Sequence, residues 1–380
     1  MPGTPAIFVI SPMQRKSNMF TRLFRFAIAV MVLSGCADSD TALTHYPYNP
    51  RPYPFVVPED FPVILPAVRD STTVAGVDLG RHLFYDTRLS GDGTMSCASC
   101  HLPGGNFTDN RATAPGIRRQ MGTRSPMALL DLVHSERFGL GWAGDDVQLH
   151  AQARRPVEDS LELFGDWPTI EARLRRDTAY HRRFRAAYGI TQVAAIDRER
   201  ILNALAQFER SITSTGQSKY DRFRRGEVAL TSDEYMGYDL FFDDSPEVKD
   251  TECAHCHIAP LLSGDDYFNN GIEPVRYLSD FPDRGRGAIT GDSLDNGKFK
   301  APTLRNIALS APYMHDGRFA TLEEVIDHYN SGGHYALNKS PLVRPLRLTE
   351  TEQGQLLAFL HTLTDTAAIN RAALQNPFGR

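Results

Sequence analysis

Residues 97–101 read CASCH and residues 253–257 read CAHCH, so the pattern C-x-x-C-H occurs twice in the chain. This pattern is typical of covalent c-type haem attachment, because two thiols three positions apart can each form a thioether bond to one porphyrin. The histidine that follows then lies under the iron as its axial ligand. The sequence therefore predicts two haem c groups, which are held by Cys97, Cys100 and His101 and by Cys253, Cys256 and His257.

Two other interpretations of the cysteine pairs remain open at this point. They are one structural zinc bound by four cysteines, and two redox-active dithiol sites. A zinc site would not need a histidine directly after each pair, and a dithiol site in an exported chain would not need that histidine twice. Haem attachment is therefore the favoured interpretation.

Composition limits the function further. The chain has 380 residues, of which 41% are hydrophobic, so it is long enough for two domains with packed cores. The net charge of -5 argues against a nucleic-acid partner. Of the five cysteines, four belong to the haem motifs and the fifth is Cys36, which leaves none for a disulfide bond.

The region around Cys36 predicts export. Basic residues between 15 and 25 precede a short apolar run at 26–33, which is too short to cross a bilayer and is typical of a signal peptide. Residues 33–36, LSGC, resemble the bacterial lipobox. That resemblance implies cleavage before Cys36, lipid on its thiol and anchoring on the periplasmic side of a membrane. A plain secretory signal with an incidental cysteine is the alternative.

The remaining pattern is helical. Residues 37–70 are rich in proline and predict a tether that lies over the folded body. Helical periodicity begins at Val74, where Val77, Leu79, Leu83 and Phe84 predict one apolar face, and it recurs at 170–188 and 196–212. Thr231, Thr321 and Thr349 each precede a glutamate by three positions, as in a capping box. Strand-like alternation is nearly absent. We therefore predict an all-α fold with two cytochrome c-like haem domains, divided as 1–36 signal peptide, 37–70 tether, 71–220 first haem domain and 221–380 second haem domain.

Three further stretches resemble the bacterial di-haem cytochrome c peroxidase/MauG family. They are LGRHLFYDTRLS at 79–90, APTLRN at 301–306 and APYMHDG at 311–317. The resemblance implies an enzyme that reduces hydrogen peroxide at an open first haem and passes electrons through a second haem. It also assigns Arg305, in the second of these stretches, to cofactor binding.

The family places a tryptophan between the haems and three more residues beside the first haem. Here Gln152, Pro156 and Glu162 follow Trp142 by 10, 14 and 20 positions, as the resemblance requires. The resemblance implies that Glu162 moves a proton during cleavage of the peroxide bond and that Gln152 hydrogen-bonds the bound oxygen species. It further implies that Pro156 fills space beside the iron and that Trp142 relays an electron.

The sixth ligand of the second haem separates subgroups of this family. Ordinary members have a methionine, whereas the MauG group has a tyrosine, and Tyr329 stands at that position here. A phenolate stabilises the higher oxidation states of iron. Met314 is a rival ligand and His328 a weaker one. Residues 102–126 contain no histidine that could block the first iron, which again resembles the MauG group.

Two features differ from the family pattern. A calcium ion between the haems would take carbonyl oxygens of Ser310 and Pro312, but Arg124 stands where the family has an asparagine ligand. A guanidinium cannot bind calcium and its charge could replace the ion, while Asp131 is a substitute ligand. Thr251 stands where MauG has a surface tryptophan that passes electrons to its protein substrate.

The stretches at 306–317, 328–333 and 340–345 further resemble MbnH, a MauG relative that uses peroxide to oxidise a tryptophan of a partner protein. The sequence thus favours a MauG/MbnH-like enzyme that uses hydrogen peroxide to oxidise a partner, with tryptophan of a periplasmic protein as the expected target. The first alternative is a di-haem peroxidase that takes electrons from a small cytochrome or copper protein. The second is a di-haem electron carrier without peroxide chemistry.

Overall fold

The computed structural model describes residues 42–136, 139–246 and 248–379. The predicted signal peptide and Cys36 lie outside the described residues. Within them the regular structure is mostly helical, which agrees with the predicted fold class. One short antiparallel pair is added to the helices: β1, Tyr267–Phe268, lies beside β2, Phe299–Lys300. None of the described helices has the length and apolar character needed to cross a membrane.

Six helices precede residue 212 in the described part of the chain. They are α1 Pro66–Ser71, α2 Val74–Phe84, α3 Leu149–Glu158, α4 Trp167–Arg175, α5 Thr178–Tyr188 and α6 Arg198–Arg210. The apolar face predicted for α2 is confirmed, because Val77, Leu79, Leu83 and Phe84 are all buried. Asp177 accepts a hydrogen bond from the amide of Ala179 and starts α5, so the helical pattern over 170–188 belongs to two helices rather than one.

Seven α-helices follow among the described residues after 212. They are α7 Lys219–Arg224, α8 Ser232–Phe242, α9 Cys253–Cys256, α10 Gly287–Thr290, α11 Leu322–Ser331, α12 Glu350–Thr362 and α13 Thr366–Ile369. The three predicted capping boxes are confirmed: Thr231, Thr321 and Thr349 start α8, α11 and α12. In each box the threonine hydroxyl and the glutamate carboxylate satisfy amides that would otherwise lack partners.

The proline-rich segment before α1 is extended and lies on the folded body. Pro52 pairs with Thr73 in an isolated bridge, and the side chains of Leu43, Phe61 and Ile64 are buried. Burial of these apolar side chains stabilises the segment against the helices.

Two hydrophobic clusters form the core. The first gathers helices α2 to α6 together with Ala368, Ile369 and Leu374 from the C-terminal end. The second gathers α7, α8, α11 and α12. The chain therefore returns to its first half after passing through the second.

The same helix-pairing unit occurs in both clusters. In α2, a Cβ on Gly80 would lie 1.9 Å from the carbonyl oxygen of Ala204 in α6. In α8, a Cβ on Gly237 would lie 1.9 Å from the carbonyl oxygen of Gln355 in α12. Only glycine permits so close an approach of two helices. The repeat is visible in the sequence, because residues 80–86 read GRHLFYD and residues 237–243 read GYDLFFD.

Candidate active site

The first C-x-x-C-H motif forms a short turn whose histidine is fixed by backbone. Nδ1 of His101 lies 2.7 Å from the carbonyl oxygen of Phe107. A carbonyl only accepts hydrogen bonds, so Nδ1 carries the proton and Nε2 keeps its lone pair for a metal. Burial lowers the pKa of His101, which favours the neutral imidazole that ligates iron. Phe84 of α2 packs 6.4 Å from its ring.

Helix α3 and the turn after it bring the other first-site residues together. Gln152 and Pro156 are four positions apart in α3 and therefore share one face. The amide of Leu163 donates to the carbonyl of Pro156, and the carbonyl of Glu162 accepts from the amide of Ile117. The turn that carries Glu162 is thus tied both to α3 and to the loop at residues 114–122.

Gln152 has an unsatisfied polar atom. Its Oε1 is buried and accepts no hydrogen bond within the described part of the chain. A buried amide oxygen without a partner is costly and indicates a missing donor. The arrangement therefore fits a bound group that places a donor beside Gln152.

The pKa of Glu162 is suited to proton transfer. Glu162 is exposed as a residue, but its carboxyl has protein atoms close around it. Burial raises the pKa of Glu162 to about 7, with a smaller contribution from the charge of Asp159. Burial raises the pKa of Cys97 and Cys100, and the charge of Glu162 adds a smaller contribution to both, so its carboxylate lies in the neighbourhood of the first motif. Such a group can give or take a proton near neutral pH.

The second motif is built in the same way and opens on a large cavity. Nδ1 of His257, at the end of α9, lies 3.0 Å from the carbonyl oxygen of Pro302, so Nε2 is again left for a metal. Burial lowers the pKa of His257 to about 4. The cavity, of about 260 Å³, is lined by His257 with Cys253 and Cys256 and is mainly apolar. Both motifs thus fit haem c.

The two candidate sixth ligands of the second site lie side by side. Nδ2 of Asn270 is 3.4 Å from the hydroxyl of Tyr329 and 3.3 Å from Sδ of Met314, and both side chains line the cavity with His257. Burial raises the pKa of Tyr329 to about 12. The weaker rival His328 instead directs Nε2 to the carbonyl oxygen of Asn270, 3.0 Å away.

One wall connects the two sites. Met127 lines the second cavity, and its backbone also lies close enough to His101 to raise that residue's pKa. Trp142 lines the same cavity, and its Nε1 donates to the carbonyl of Ser125 at 2.8 Å. The carbonyl of Trp142 accepts from the amide of Lys300 at 2.9 Å. Trp142 is therefore held by both halves of the chain.

The charged residues considered at the calcium position, Arg124 and Asp131, are paired with protein groups. Arg124 forms a two-pronged ion pair with Asp283, with Nε–Oδ2 and Nη2–Oδ1 distances of 2.7 and 2.8 Å. Both carboxylate oxygens of Asp131 accept from Ser214. Ser310 and Pro312 lie on the cavity wall. The carboxylates that would neutralise a calcium ion are thus occupied, so this donor set fits calcium poorly.

Arg305 is buried, and its guanidinium contacts protein groups. Its two Nη atoms each lie 3.0 Å from an oxygen of Asp221 in α7, and its Nε donates to the carbonyl of Pro260 at 2.8 Å. Removing one partner of such a buried pair leaves an uncompensated charge. Its assignment to cofactor binding stays a prediction, while its observed contacts hold the loop after His257.

The structure adds three polar residues that sequence reasoning did not select. Asn270 contacts both candidate ligands of the second site. Lys300 is buried on the cavity wall and donates to the carbonyl of Gly264 at 3.0 Å. Glu209, in the last turn of α6, is buried near Cys97, and burial raises its pKa to about 8. The helical periodicity of a sequence does not show which charged residues are buried. The one sign of Glu209 in the sequence is that a charged residue stands at a position where the helix pattern is otherwise apolar.

Comparison with known proteins agrees with the geometry. Residues 74–229 match the family described as di-haem cytochrome c peroxidase. The cytochrome-c peroxidase IdrP1 of Denitromonas iodatirespirans is 31% identical over 378 residues, covering 91% of this chain and 94% of that protein. The methylamine utilization protein MauG of Methylorubrum extorquens is 33% identical over 297 residues, covering 77% and 79%.

Solved structures give the same result. A MauG-like protein associated with microbial copper homeostasis has a TM-score of 0.78 and 35% identity, covering 86% of this chain and 99% of that protein. The di-haem peroxidase BthA of Burkholderia thailandensis shares the fold, with a TM-score of 0.65 at 22% identity.

The fold and site define a helical oxidoreductase scaffold with two C-x-x-C-H sites that meet at a common wall. The chain belongs to the di-haem cytochrome c peroxidase/MauG family. It is accordingly a peroxide-dependent di-haem enzyme, and the family implies two covalently bound haem c groups.

Proposed function

We propose that this enzyme reduces hydrogen peroxide at the site of Cys97, Cys100 and His101 and oxidises a protein partner that does not touch the iron. The target is an aromatic side chain, tryptophan above all, as in MauG and MbnH-type enzymes. Haem iron supplies peroxide binding and the storage of oxidising equivalents. The residues of this chain orient the peroxide, move its protons and connect the two sites. The proposal includes the division into haem domains 71–220 and 221–380. The two hydrophobic clusters follow this division except that Tyr220 packs in the second cluster and the residues near 368–374 pack in the first.

Proton transfer is assigned to Glu162. Cleavage of the peroxide bond requires a proton to leave one oxygen and reach the other, and a carboxyl with a pKa of about 7 can do both. Gln152 directs its amide group to the bound oxygen species. The O–H of bound peroxide would donate to Oε1 of Gln152, which is buried and lacks a donor. Pro156, on the same helix face, excludes a competing side chain.

The observation that carries the MauG-like proposal is the buried hydroxyl of Tyr329 in the second cavity. The hydroxyl lies 3.4 Å from a neutral amide, that of Asn270, in a cavity that also holds His257. As a phenolate ligand, Tyr329 would favour the oxidised second site. Trp142, fixed by Ser125 and Lys300, would carry an electron between the sites.

The partner is expected outside the membrane. Export and a lipid anchor at Cys36 belong to the proposal and place the enzyme on the periplasmic side. A similar MauG-like protein is associated with microbial copper homeostasis. By extension, we propose that the partner of the present enzyme is a small exported protein related to copper.

The proposal is tested by adding one equivalent of hydrogen peroxide to the fully oxidised protein without reductant. Optical and EPR spectra of both haems are then followed. Rapid loss of both ferric signals is expected, because the first site is open and both sites share the oxidation. If nothing happens until one haem is reduced, the enzyme is a reductively activated peroxidase and the MauG-like proposal is wrong.

The second candidate is a di-haem cytochrome c peroxidase that uses a small cytochrome or copper protein as electron donor. It is favoured by the position of Met314, whose Sδ shares the amide of Asn270 with Tyr329 and which would make the second site an ordinary His–Met centre. Repeated turnover with a reduced cytochrome would support it. If the protein were a di-haem electron carrier without peroxide chemistry, neither haem would be high-spin.

A further inference from the structure

An aromatic cluster extends from the second cavity to the surface through helices α7, α8 and α12. Neighbouring rings in it have centroids between 4.9 and 6.4 Å apart, the range in which aromatic pairs make direct contact. Its members are Tyr220, Phe223, Tyr235, Tyr238, Phe241, Phe242 and Phe359.

The inner end of the cluster is attached to the second motif. Phe241 lines the cavity together with Cys253. The hydroxyl of Thr251 lies 2.6 Å from the carbonyl oxygen of Leu240 in α8 and 3.2 Å from Sγ of Cys253. Helix α8 therefore contacts the second site in two ways, through the ring of Phe241 and through the hydrogen bonds of the Thr251 hydroxyl.

From the cavity the rings follow α8 outwards in three steps. Phe241 lies 4.9 Å from Phe242, Phe242 lies 4.9 Å from Tyr238, and Tyr238 lies 6.0 Å from Tyr235. Tyr235 is 46% exposed. Two oxidisable phenols thus stand three positions apart on one helix, one half-buried and one at the surface.

The charges around the phenols suit loss of an electron together with a proton. Burial raises the pKa of Tyr220 and Tyr238, and the carboxylate of Asp244 adds to this effect at Tyr238 and favours loss of an electron there. Arg224 acts on both phenols in the opposite direction and lowers their pKa. A cation opposes a positively charged phenol and so favours release of its proton. Tyr235 can release its proton directly to water because its side chain is exposed.

We propose that Tyr238 and Tyr235 form a one-electron relay that connects the second site with an oxidisable phenol or indole side chain of a partner docked at the start of α8. Tyr238 first gives one electron to the oxidised second site and its phenolic proton to water. Tyr235 then gives one electron to the Tyr238 radical, which takes a proton back from water, while Tyr235 releases its own phenolic proton to water and becomes a neutral radical. It then takes one electron and one proton from the partner, which restores the phenol. Two passages account for the two oxidising equivalents that one peroxide molecule brings. The inference rests on the proposed function, since it names the exit for the stored equivalents.

The relay is tested by trapping the radical. The haem-bearing protein receives one equivalent of hydrogen peroxide without reductant but with a nitroso spin trap, and the labelled peptides are identified by mass spectrometry. Rapid-freeze EPR follows the tyrosyl radical, and optical spectra follow both haems in the same samples. The variants are Tyr235→Phe and Tyr238→Phe. The control is Tyr335→Phe, because Tyr335 is 69% exposed and is not a member of the cluster.

We expect peroxide-dependent trapping on Tyr235 in the native protein and in Tyr335→Phe. Trapping is lost in Tyr235→Phe, and in Tyr238→Phe it falls to background while the haem spectra still change. If the haems react but Tyr235 is never labelled, or is labelled equally in Tyr238→Phe, the relay is overturned and the proposed function stands. If the haems of the native protein do not react with peroxide, the proposed function fails and the relay fails with it.

Discussion

Glu162 is a carboxyl group whose proton equilibrium lies near the pH at which the enzyme would work. Its turn is fixed by backbone hydrogen bonds, from Leu163 to the carbonyl of Pro156 and from Ile117 to the carbonyl of Glu162 itself. Proton abstraction from peroxide requires the carboxylate, and burial raises the pKa of Glu162 to about 7. The deprotonated fraction therefore increases as the pH rises through this value.

We predict that the rate of the peroxide reaction rises with pH and levels off above about 7. In Glu162→Gln the rate should fall roughly 10²- to 10⁴-fold, the usual contribution of general acid–base catalysis, and the inflection should disappear. Stopped-flow spectroscopy of the oxidised protein across this pH range measures both effects. An unchanged rate in the variant would remove Glu162 from proton transfer.

Tyr329 and Met314 provide a second prediction, because both approach the same amide of Asn270. If the phenolate is the iron ligand, Tyr329→Phe should lose the low-spin signal of the second haem, whereas Met314→Leu should keep it. EPR and optical spectra of the oxidised variants separate the two cases. The opposite pattern would identify Met314 as the ligand and favour the ordinary peroxidase.

At the scale of helices, the close contact of α8 with α12 depends on Gly237. Alanine at this position would place a methyl group against the carbonyl of Gln355, and overpacking of this kind typically costs about 1–3 kcal/mol. Gly354, in α12, is a matched control because no atom lies within 4 Å of a Cβ there. Gly354→Ala should stabilise the protein by about 0.5–1 kcal/mol, since alanine is the better helix former.

Denaturant unfolding, followed by far-UV circular dichroism, measures the free energy of unfolding of both glycine variants. Equal effects of Gly237→Ala and Gly354→Ala would show that the helices adjust and that close approach is not required.

Glu209 of α6 predicts a pH-dependent stability. Burial raises its pKa from 4.5 to about 8, so the folded state holds the proton more tightly than the unfolded state. The free energy of unfolding should therefore decrease as the pH rises from 4.5 towards 8. Glu209→Gln should remove this part of the slope, which denaturant unfolding at several pH values can detect. A slope identical to that of the native protein would contradict the prediction.

The sequence was most informative where chemistry depends on spacing between neighbouring residues. The C-x-x-C-H motifs, the capping boxes and the apolar face of α2 all depend on residues within one or two helical turns. Contacts between distant segments were not predictable. Nothing near Asn270 indicates that it meets both Tyr329 and Met314, and the rings of α8 join Phe359 only after the chain has folded. The repeat around Gly80 and Gly237 was readable but requires comparison of the two halves.

At the scale of the whole molecule, direct contacts join the two halves. Arg124 pairs with Asp283, and next to it Ser125 accepts the indole hydrogen bond of Trp142. This ion pair therefore adjoins the residue assigned to electron transfer between the sites.

We predict that the enzyme does not depend on calcium, because Arg124 replaces the asparagine ligand that the family resemblance requires and because Asp131 and Asp283 are already paired. Treatment with a calcium chelator should leave the haem spectra and the peroxide reaction unchanged. The control is Arg124→Ala, which should slow the oxidation of the second haem relative to the first. Loss of the reaction after chelation, with recovery on addition of calcium, would contradict the prediction.

The paired glycine contacts show that the molecule uses one packing arrangement twice. The stretches GRHLFYD and GYDLFFD each supply the glycine at which two helices come into close contact, once in each hydrophobic cluster. The groups that make the halves differ, the turn of Glu162 in one and the end of α11 in the other, lie outside the repeated contact. The two sites can therefore differ in their chemistry without a change in the helix packing that they share.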